Sequence, residues 1–184
     1  MSKLYLIRHG ATQANLEHRY CGSTDLPLSS QGRQALQALS YPIPAGCRFL
    51  TSGMLRTNQT MELLFGQISY EKNPAFREVD FGAFEMHSYD QLKDLEEYQK
   101  WITGDNEKNI PPNGESGEQM GIRVMEGIKK LIEEDQDTVL ISHGGVIAFL
   151  MEQLFSDEEK NRYLWQPKPG CGYVIENGVY QELK

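Results

Sequence analysis

The sequence lacks several features that would assign it to a large class of proteins. No apolar run approaches the roughly 20 residues of a membrane-spanning helix, and the short run near the N-terminus does not suit a signal peptide. Positive charge is scarce, since 18 Lys and Arg stand against 26 Asp and Glu, a net charge of -8. Proteins that bind nucleic acid or anionic membranes through bulk charge are usually basic, so we expect neither partner.

Cysteine is also sparse, and common cofactor motifs are missing. The three cysteines form no CxxC pair, the four histidines show no HxxxH or HExxH spacing, and no GxxxxGK[ST] or GxGxxG loop occurs. An odd, small number of cysteines predicts no disulfide framework and a reducing compartment, the cytoplasm. We therefore expect a cytoplasmic protein with no metal and no cofactor.

Strand-like and helix-like segments alternate along the chain, with no linker and no internal repeat. Strands are predicted over 4–7, 48–51, 68–71 and 138–141, and helices over 10–17, 29–39, 54–65, 89–102, 116–134 and 146–154. This alternation predicts a three-layer α/β/α sandwich with a mostly parallel central sheet. Asn177-Gly178 between two β-prone runs predicts a hairpin that adds an antiparallel edge strand at the C-terminus. The 184 residues fit a single domain.

Two predicted strands end in a histidine that is followed by glycine and a predicted helix. His9 follows the first strand and His143 follows the strand at 138–141, with Arg8 beside His9 and Arg56 just after the second strand. Ligands of open α/β sheets bind beyond the carboxyl ends of the strands, and helix N-termini favour anions. The residues therefore predict a phosphate site, with a structural role for each histidine as the competing interpretation.

Acidic residues are numerous, and most suit a solvated helix face. Glu78 differs because it lies in an aromatic, non-periodic loop, surroundings that suit a general acid. Asp80 and Glu85 share this loop region, and composition does not separate the three carboxylates.

Short motifs run in order along nearly the whole chain. The first is Leu-Ile-Arg-His-Gly-Ala-Thr at 6–12, followed by Asn15. The others include Arg19-Tyr20, Gly22, Asp25, Pro27-Leu28, the segment 52–56, Glu78, Phe81-Gly82, the segment 114–116 and the segment 142–144. This ordered set resembles the histidine phosphatase superfamily, which has the phosphoglycerate-mutase-like fold.

The resemblance implies hydrolysis of a small phosphomonoester through a phosphohistidine intermediate. His9 is implied as the nucleophile and Glu78 as the acid that becomes the base, while Arg8, Arg56 and His143 hold the phosphate oxygens. Further substrate-binding residues implied by the resemblance are Thr12, Asn15, Gly22, Ser52 and Gly144. For His9 to attack, one ring nitrogen must be unprotonated, so we expect the other to donate to a backbone carbonyl. Arginine and histidine supply the positive charge, so no metal is implied.

Within the superfamily, the chain is most similar to the α-ribazole phosphatases of cobalamin biosynthesis. The similarity lies in Phe-Gly-Ala-Phe-Glu-Met at 81–86, in the segment 110–115 and in Gly170-Cys171. The chain departs from the family at Phe84, where Trp is usual, and at Thr57-Asn58, where Ala commonly follows the arginine. We expect residues 84–115 to form a cap over the cleft, with Phe84 and Met86 influencing the choice of substrate.

Three alternatives remain at this point. In the first alternative, the substrate is another small phosphomonoester, such as a sugar phosphate or a nucleotide. In the second, the enzyme is a phosphoglycerate mutase. A non-catalytic binder is the third, although it would be expected to lose His9, His143 or an arginine, and all are present. The sequence is compatible with a monomer or a homodimer.

Overall fold

A computed structural model describes residues 2–105 and 107–184, so Met1 and Asn106, the latter within the predicted cap, lie outside the described residues. The strands are β1 (Leu4–Arg8), β2 (Arg48–Thr51), β3 (Glu71–Lys72), β4 (Thr138–Ser142), β5 (Gly172–Glu176) and β6 (Val179–Leu183). The α-helices are α1 (Gln13–Leu16), α2 (Ser30–Gln37), α3 (Leu55–Phe65), α4 (Tyr89–Leu92), α5 (Glu96–Ile102), α6 (Gly117–Glu133) and α7 (Gly144–Leu154). Short 3-10 helices cover Pro74–Phe76, Gly82–Phe84 and Arg162–Trp165.

The strands form one sheet with the order β3-β2-β4-β1-β5-β6. β1, β2, β3 and β4 pair in parallel, whereas β5 runs against β1 and β6 runs against β5. Asn177 and Gly178 both have positive φ, as a two-residue hairpin of this type requires. The predicted α/β fold with antiparallel C-terminal strands is confirmed.

Helices cover both faces of the sheet because β1 and β4 are apolar at nearly every position. Alternate side chains point to opposite faces, so Leu6 and Leu140 pack towards α6 and α7. Tyr5, Ile7 and Val139 pack on the other face, where α3 contributes Met61. Burial on both faces is typical of the central strands of a parallel sheet.

The predicted helix over 89–102 is wrong as a single element, since it is two helices, α4 and α5. The chain is extended at Leu95, with φ -82° and ψ 127°. Leu92 and Tyr98 are both buried in the same apolar cluster. Six residues of continuous helix would place them about 120° apart around the axis, so the break lets both side chains face one cluster.

Two other predictions are corrected at element ends. The helix predicted over 10–17 contains only α1, because Thr12 and Asn15 form a capping box that starts the helix at Gln13. The strand predicted over 68–71 is the two-residue β3, which pairs with the end of β2. Among the described residues, no helix is long and apolar enough to cross a membrane.

A separate aromatic cluster lies outside the two main cores. Phe84, Leu92 and Tyr98 are its buried members, and Tyr20 and Trp101 pack against them. Most of these residues belong to the segment that we expect to act as a cap.

Candidate active site

The parallel pairing of β1 and β4 brings the two predicted active-site histidines together. Arg8 lies opposite Ser142 in the register, so His9 and His143 leave the sheet side by side. The His9 backbone N–H donates to the Ser142 carbonyl at 2.9 Å, and the two ring centroids are 5.1 Å apart. The expectation that both histidines lie at one edge of the sheet is confirmed.

His9 is buried and held in a defined orientation. Its Nδ1 lies 2.6 Å from the Gly10 carbonyl oxygen, which can only accept, so we assign the ring proton to Nδ1. Burial lowers the pKa of His9 well below its usual value, and the nearby Arg56 and Arg8 guanidinium groups lower it further. His9 is therefore a neutral imidazole with an unprotonated Nε2, the form that a nucleophile requires.

His143 is held by a hydroxyl rather than by the backbone. Its Nε2 lies 2.8 Å from Ser52 Oγ, which itself lies 3.1 Å from Thr57 Oγ1. Burial also lowers the pKa of His143 well below its usual value, with Arg56 and His9 adding to the effect. Ser52, from the end of β2, thus orients the ring.

Arg56 and Arg8 are anchored to backbone carbonyls. Arg56 donates to the carbonyl oxygens of Thr24 at 2.9 Å and Gly22 at 2.7 Å, and Arg8 donates to that of Pro167 at 2.8 Å. Burial lowers the pKa of Arg8, although the Glu78 carboxylate opposes the shift. These contacts fix both guanidinium groups at the carboxyl edge of the sheet.

Three buried nitrogen atoms of this cluster have no hydrogen-bond partner. They are Nε of Arg8, Nε of Arg56 and Nδ1 of His143. Trp165 Nε1 is the other buried side-chain polar atom without a partner in the described part of the chain. The two arginine Nε–H groups can only donate, and because an unpaired buried donor is costly, they point to an anion as their partner beside the histidines.

The structure separates the three carboxylates that composition left open. Glu78 Oε2 accepts from the Gly145 N–H at 2.9 Å, at the N-terminus of α7, and Glu78 lines the same cavity as Arg8 and His9. A Cβ atom at position 145 would lie 2.5 Å from Glu78 Oε1, so a side chain there would displace the Glu78 carboxyl group. Glu78 is the carboxylate that faces the reaction centre.

Glu85 and Asp80 instead stabilise the loop that follows α1. Glu85 accepts from the backbone N–H groups of Gly22, Ser23 and Thr24. Asp80 accepts from the Ser23 hydroxyl at 2.8 Å. Their hydrogen-bonding capacity is used within the protein.

Arg123 from α6 holds the loop that carries Glu78. Its guanidinium donates to the carbonyl oxygens of Ala75 at 2.8 Å, Arg77 at 2.7 Å and Glu78 at 3.1 Å. It also forms a bidentate pair with Glu115, with both distances 2.8 Å. Sequence reasoning did not single out Arg123, since its role depends on carbonyl groups about 45 residues away along the chain.

The predicted substrate-binding residues fall into two groups. Asn15 lines the cavity with Arg8 and His9. Thr12, Gly22, Ser52 and Gly144 lie outside its lining and support it: Thr12 caps α1, and the Gly22 carbonyl accepts from Arg56. A Cβ atom at position 144 would lie 2.3 Å from Gln166 Nε2 and 3.0 Å from Arg8 Cζ. Their direct contact with substrate stays a prediction.

The comparisons with known proteins agree on the family. The family model of the histidine phosphatase superfamily (branch 1) matches residues 4–178. The chain belongs to this superfamily. It is 31% identical over 183 residues to the adenosylcobalamin/alpha-ribazole phosphatase of Escherichia coli (strain K12), covering 95% of this chain and 89% of the relative.

Similar solved structures include an alpha-ribazole phosphatase and a phosphoglycerate mutase. The alpha-ribazole phosphatase from Shigella flexneri superposes with a TM-score of 0.81 at 28% identity, covering 99% of this chain and 94% of that chain. A phosphoglycerate mutase from Thermus thermophilus superposes with a TM-score of 0.79 at 29% identity, covering 99% and 98%. The protein is thus a histidine phosphatase with the phosphoglycerate-mutase-like fold.

The cavity of this histidine phosphatase extends well beyond His9, with a volume of about 430 Å³. The rest of its lining, which we call the far end, comes from several elements. It includes Arg19, Tyr20, Phe81, Trp101, Glu107, Glu115, Arg162 and Tyr163. Sequence reasoning missed the contributions of Trp101 and of the 3-10 helix Arg162–Trp165. No motif marks them, since only the fold brings them to the cleft.

Phe84 and Met86 lie outside the cavity lining. Phe84 is only 2% exposed and packs against Tyr98 and Trp101, with ring centroids 5.3 Å and 5.4 Å away. This placement argues against the expectation that Phe84 and Met86 influence substrate choice, and it gives Phe84 a supporting position behind Trp101.

Proposed function

We propose that this histidine phosphatase hydrolyses α-ribazole 5′-phosphate through a phosphohistidine at His9, without a metal ion. The observation that carries the mechanism is the neutral, Nδ1-protonated His9 beside two buried arginine Nε–H donors that have no partner. Such an arrangement suits a nucleophile that attacks a bound, negatively charged phosphate.

In the first step, His9 Nε2 attacks phosphorus in line with the bond to the leaving oxygen. Arg8, Arg56 and His143 stabilise the charge on the other phosphate oxygens, and the amide of Asn15 assists. Protonated Glu78 donates its proton to the leaving alkoxide, so an alcohol departs and phosphohistidine remains.

In the second step, water attacks the phosphohistidine. Glu78, now a carboxylate, accepts a proton from the water, and the P–N bond breaks. Inorganic phosphate leaves and His9 returns to its neutral form, so the cycle balances without a further reactant. The phosphate binding pocket stays the same in both steps.

The choice of α-ribazole 5′-phosphate is supported by two of the named relatives and by the cavity. Both the Escherichia coli relative and the Shigella flexneri structure are named alpha-ribazole phosphatases. The cavity beyond His9 has aromatic walls, which suit an aromatic base on a ribose. As part of the same proposal, residues 84–115 act as a cap within a single domain, and the reaction takes place in the cytoplasm, which suits three free cysteines.

A phosphoglycerate mutase is the second candidate, because the Thermus thermophilus structure has that name. A mutase must hold a substrate with a second acidic group, which requires free cations near the phosphate site. No lysine lines this cavity in the ranges 2–105 and 107–184, and the arginines at its far end are paired with carboxylates. This charge arrangement favours hydrolysis of a substrate with a single phosphate.

The test is phosphate release from α-ribazole 5′-phosphate, 3-phosphoglycerate and p-nitrophenyl phosphate, each measured in the presence of EDTA. We expect kcat/KM to be at least about tenfold higher for α-ribazole 5′-phosphate than for either of the others. Similar, low values on all three would contradict the substrate and leave the phosphatase chemistry intact. Isomerisation of 3-phosphoglycerate without phosphate release, with a trace of bisphosphoglycerate, would favour the mutase.

A further inference from the structure

The arginines at the far end of the cavity are already paired with carboxylates. Arg162 pairs with Glu107, and with Glu152 at 2.5 Å. Arg19 pairs with Glu17 at 2.6 Å, and Glu115 pairs with Arg123 at 2.8 Å. A leaving group with its own negative charge would meet no unpaired cation among these described residues, so the far end suits a group without negative charge.

Three aromatic rings form one wall of this end of the cavity. Tyr20, Phe81 and Trp101 have ring centroids 5.0, 5.6 and 6.0 Å apart, and both contacts of Trp101 are edge-to-face. All three residues line the same cavity as His9. We call this set the aromatic corner, and such surfaces bind flat π-systems.

Trp101 is the member of the corner with the most support from behind. Phe84 and Tyr98, which are 2% and 1% exposed, pack against it with centroids 5.4 Å and 5.7 Å away. Tyr20 is tied by its hydroxyl, which lies 2.6 Å from that of Tyr98. The rings are therefore held in place before a ligand arrives, which lowers the entropic cost of binding.

We infer that Trp101 is a specificity-determining residue, which stacks on an uncharged aromatic heterocycle attached to the phosphorylated sugar. This inference rests on the proposed phosphatase reaction and extends it to the residue that recognises the leaving group.

The test compares substrates that share the sugar phosphate and differ in the base. kcat/KM is measured for α-ribazole 5′-phosphate, adenosine 5′-monophosphate and ribose 5-phosphate, in the wild type and in Trp101→Leu. The readout is the ratio of kcat/KM for each aromatic substrate to that for ribose 5-phosphate. Stacking on one base accounts for about 5- to 150-fold in affinity. We therefore expect the larger of the two wild-type ratios to fall about tenfold or more in Trp101→Leu.

Tyr89→Leu is the matched control. Tyr89 packs against Tyr98 with centroids 6.1 Å apart, but it is exposed and lies outside the cavity lining. We expect its ratio to equal that of the wild type. If thermal melting shows that Trp101→Leu does not fold, the same ratio is measured in Phe81→Leu, which removes another ring of the aromatic corner.

The outcomes separate this inference from the proposed substrate. Equal losses on all three substrates, or an unchanged ratio, would overturn the role of Trp101 even if α-ribazole 5′-phosphate is the best substrate. Preference for adenosine 5′-monophosphate that depends on Trp101 would support the stacking role and overturn α-ribazole 5′-phosphate as the substrate.

Discussion

The two ends of the cleft are built in different ways. At the phosphate end, His9 and His143 follow directly from neighbouring strands, and backbone hydrogen bonds fix the site: Gly10 holds the His9 ring and Thr24 holds Arg56. At the far end, the lining side chains come from a loop, from α5 and from a 3-10 helix, and ion pairs join them. The sheet therefore positions the two histidines, while separately attached elements line the rest of the cavity.

The ends also differ in how their charges are used. The phosphate end keeps the buried Nε–H donors of Arg8 and Arg56 unpaired, whereas Arg162 and Glu107 at the far end pair with each other. Since an unpaired buried donor is costly, it persists where a ligand completes it. The comparison teaches that one end is prepared for an anion and the other for a neutral group.

The largest expected effect comes from removing the nucleophile at the phosphate end. His9→Ala should lower kcat by at least about a thousandfold on every substrate, since no other group can form the phosphohistidine. Phosphohistidine is hydrolysed in acid and survives in alkali. The enzyme is therefore mixed with a substrate that carries a radioactive phosphoryl group, the reaction is quenched in alkali, and the label bound to the protein is measured. Label in the wild type and none in the variant is expected.

His18→Asn is the control, because His18 is exposed and asparagine tolerates its positive φ of 52°. Turnover and labelling that survive in His9→Ala would contradict the assignment of the nucleophile, and with it the contrast between the two ends.

A smaller effect is expected from Arg123, which links the ends by holding the Glu78 loop from α6. Arg123→Met should free the carbonyl groups of Ala75, Arg77 and Glu78 and misplace the general acid. We expect about a 10- to 100-fold loss of kcat on alkyl phosphates, which need a proton for the leaving group. The loss on p-nitrophenyl phosphate should be much smaller, because its leaving group departs without one.

Glu78→Gln should show the same dependence on the leaving group. Arg77→Met is the matched control, since the Arg77 side chain is exposed on the same loop and only its carbonyl contacts Arg123. Equal losses on alkyl and aryl phosphates in Arg123→Met would point to a general structural role. Lysine at position 123 should restore part of the activity on alkyl phosphates.

The same contrast explains how far the sequence could predict the molecule. His9, His143 and Arg56 follow strands whose apolar runs are readable, so parallel pairing alone predicted their meeting at one edge. Composition alone could not separate Glu78 from Glu85, and only the family resemblance did, because the difference lies in contacts such as that of Glu85 with the Gly22 N–H, between distant parts of the chain. Sequence patterns register local periodicity, and these contacts are not local.

Trp101 and the break at Leu95 show the limit most clearly. The residues over 89–102 favour a helix, yet tertiary packing of Leu92 and Tyr98 into one cluster divides it. That division sets the direction of α5, on which Trp101 lies. The specificity residue therefore depends on packing that outweighs local propensity.

The smallest expected effect concerns stability, and it also tests the phosphate end. Because burial lowers the pKa of His9 and His143 in the folded protein, the unfolded chain binds protons that the folded chain does not. The free energy of unfolding is therefore highest above the unfolded histidine pKa of about 6.5, and it decreases as the pH falls below that value. Each buried histidine should contribute a slope of up to about 1.4 kcal/mol per pH unit.

The measurement is urea unfolding between pH 7 and pH 5 in buffers without phosphate, since a bound anion would stabilise the folded state by itself. His143→Gln should have a shallower slope than His18→Asn, which removes an exposed histidine instead. Adding inorganic phosphate should flatten the wild-type slope, because an anion beside both imidazoles raises their pKa towards the unfolded value. Equal slopes in the two variants would mean that the protein does not hold His143 neutral. His143 would then gain its proton as an exposed histidine such as His18 does.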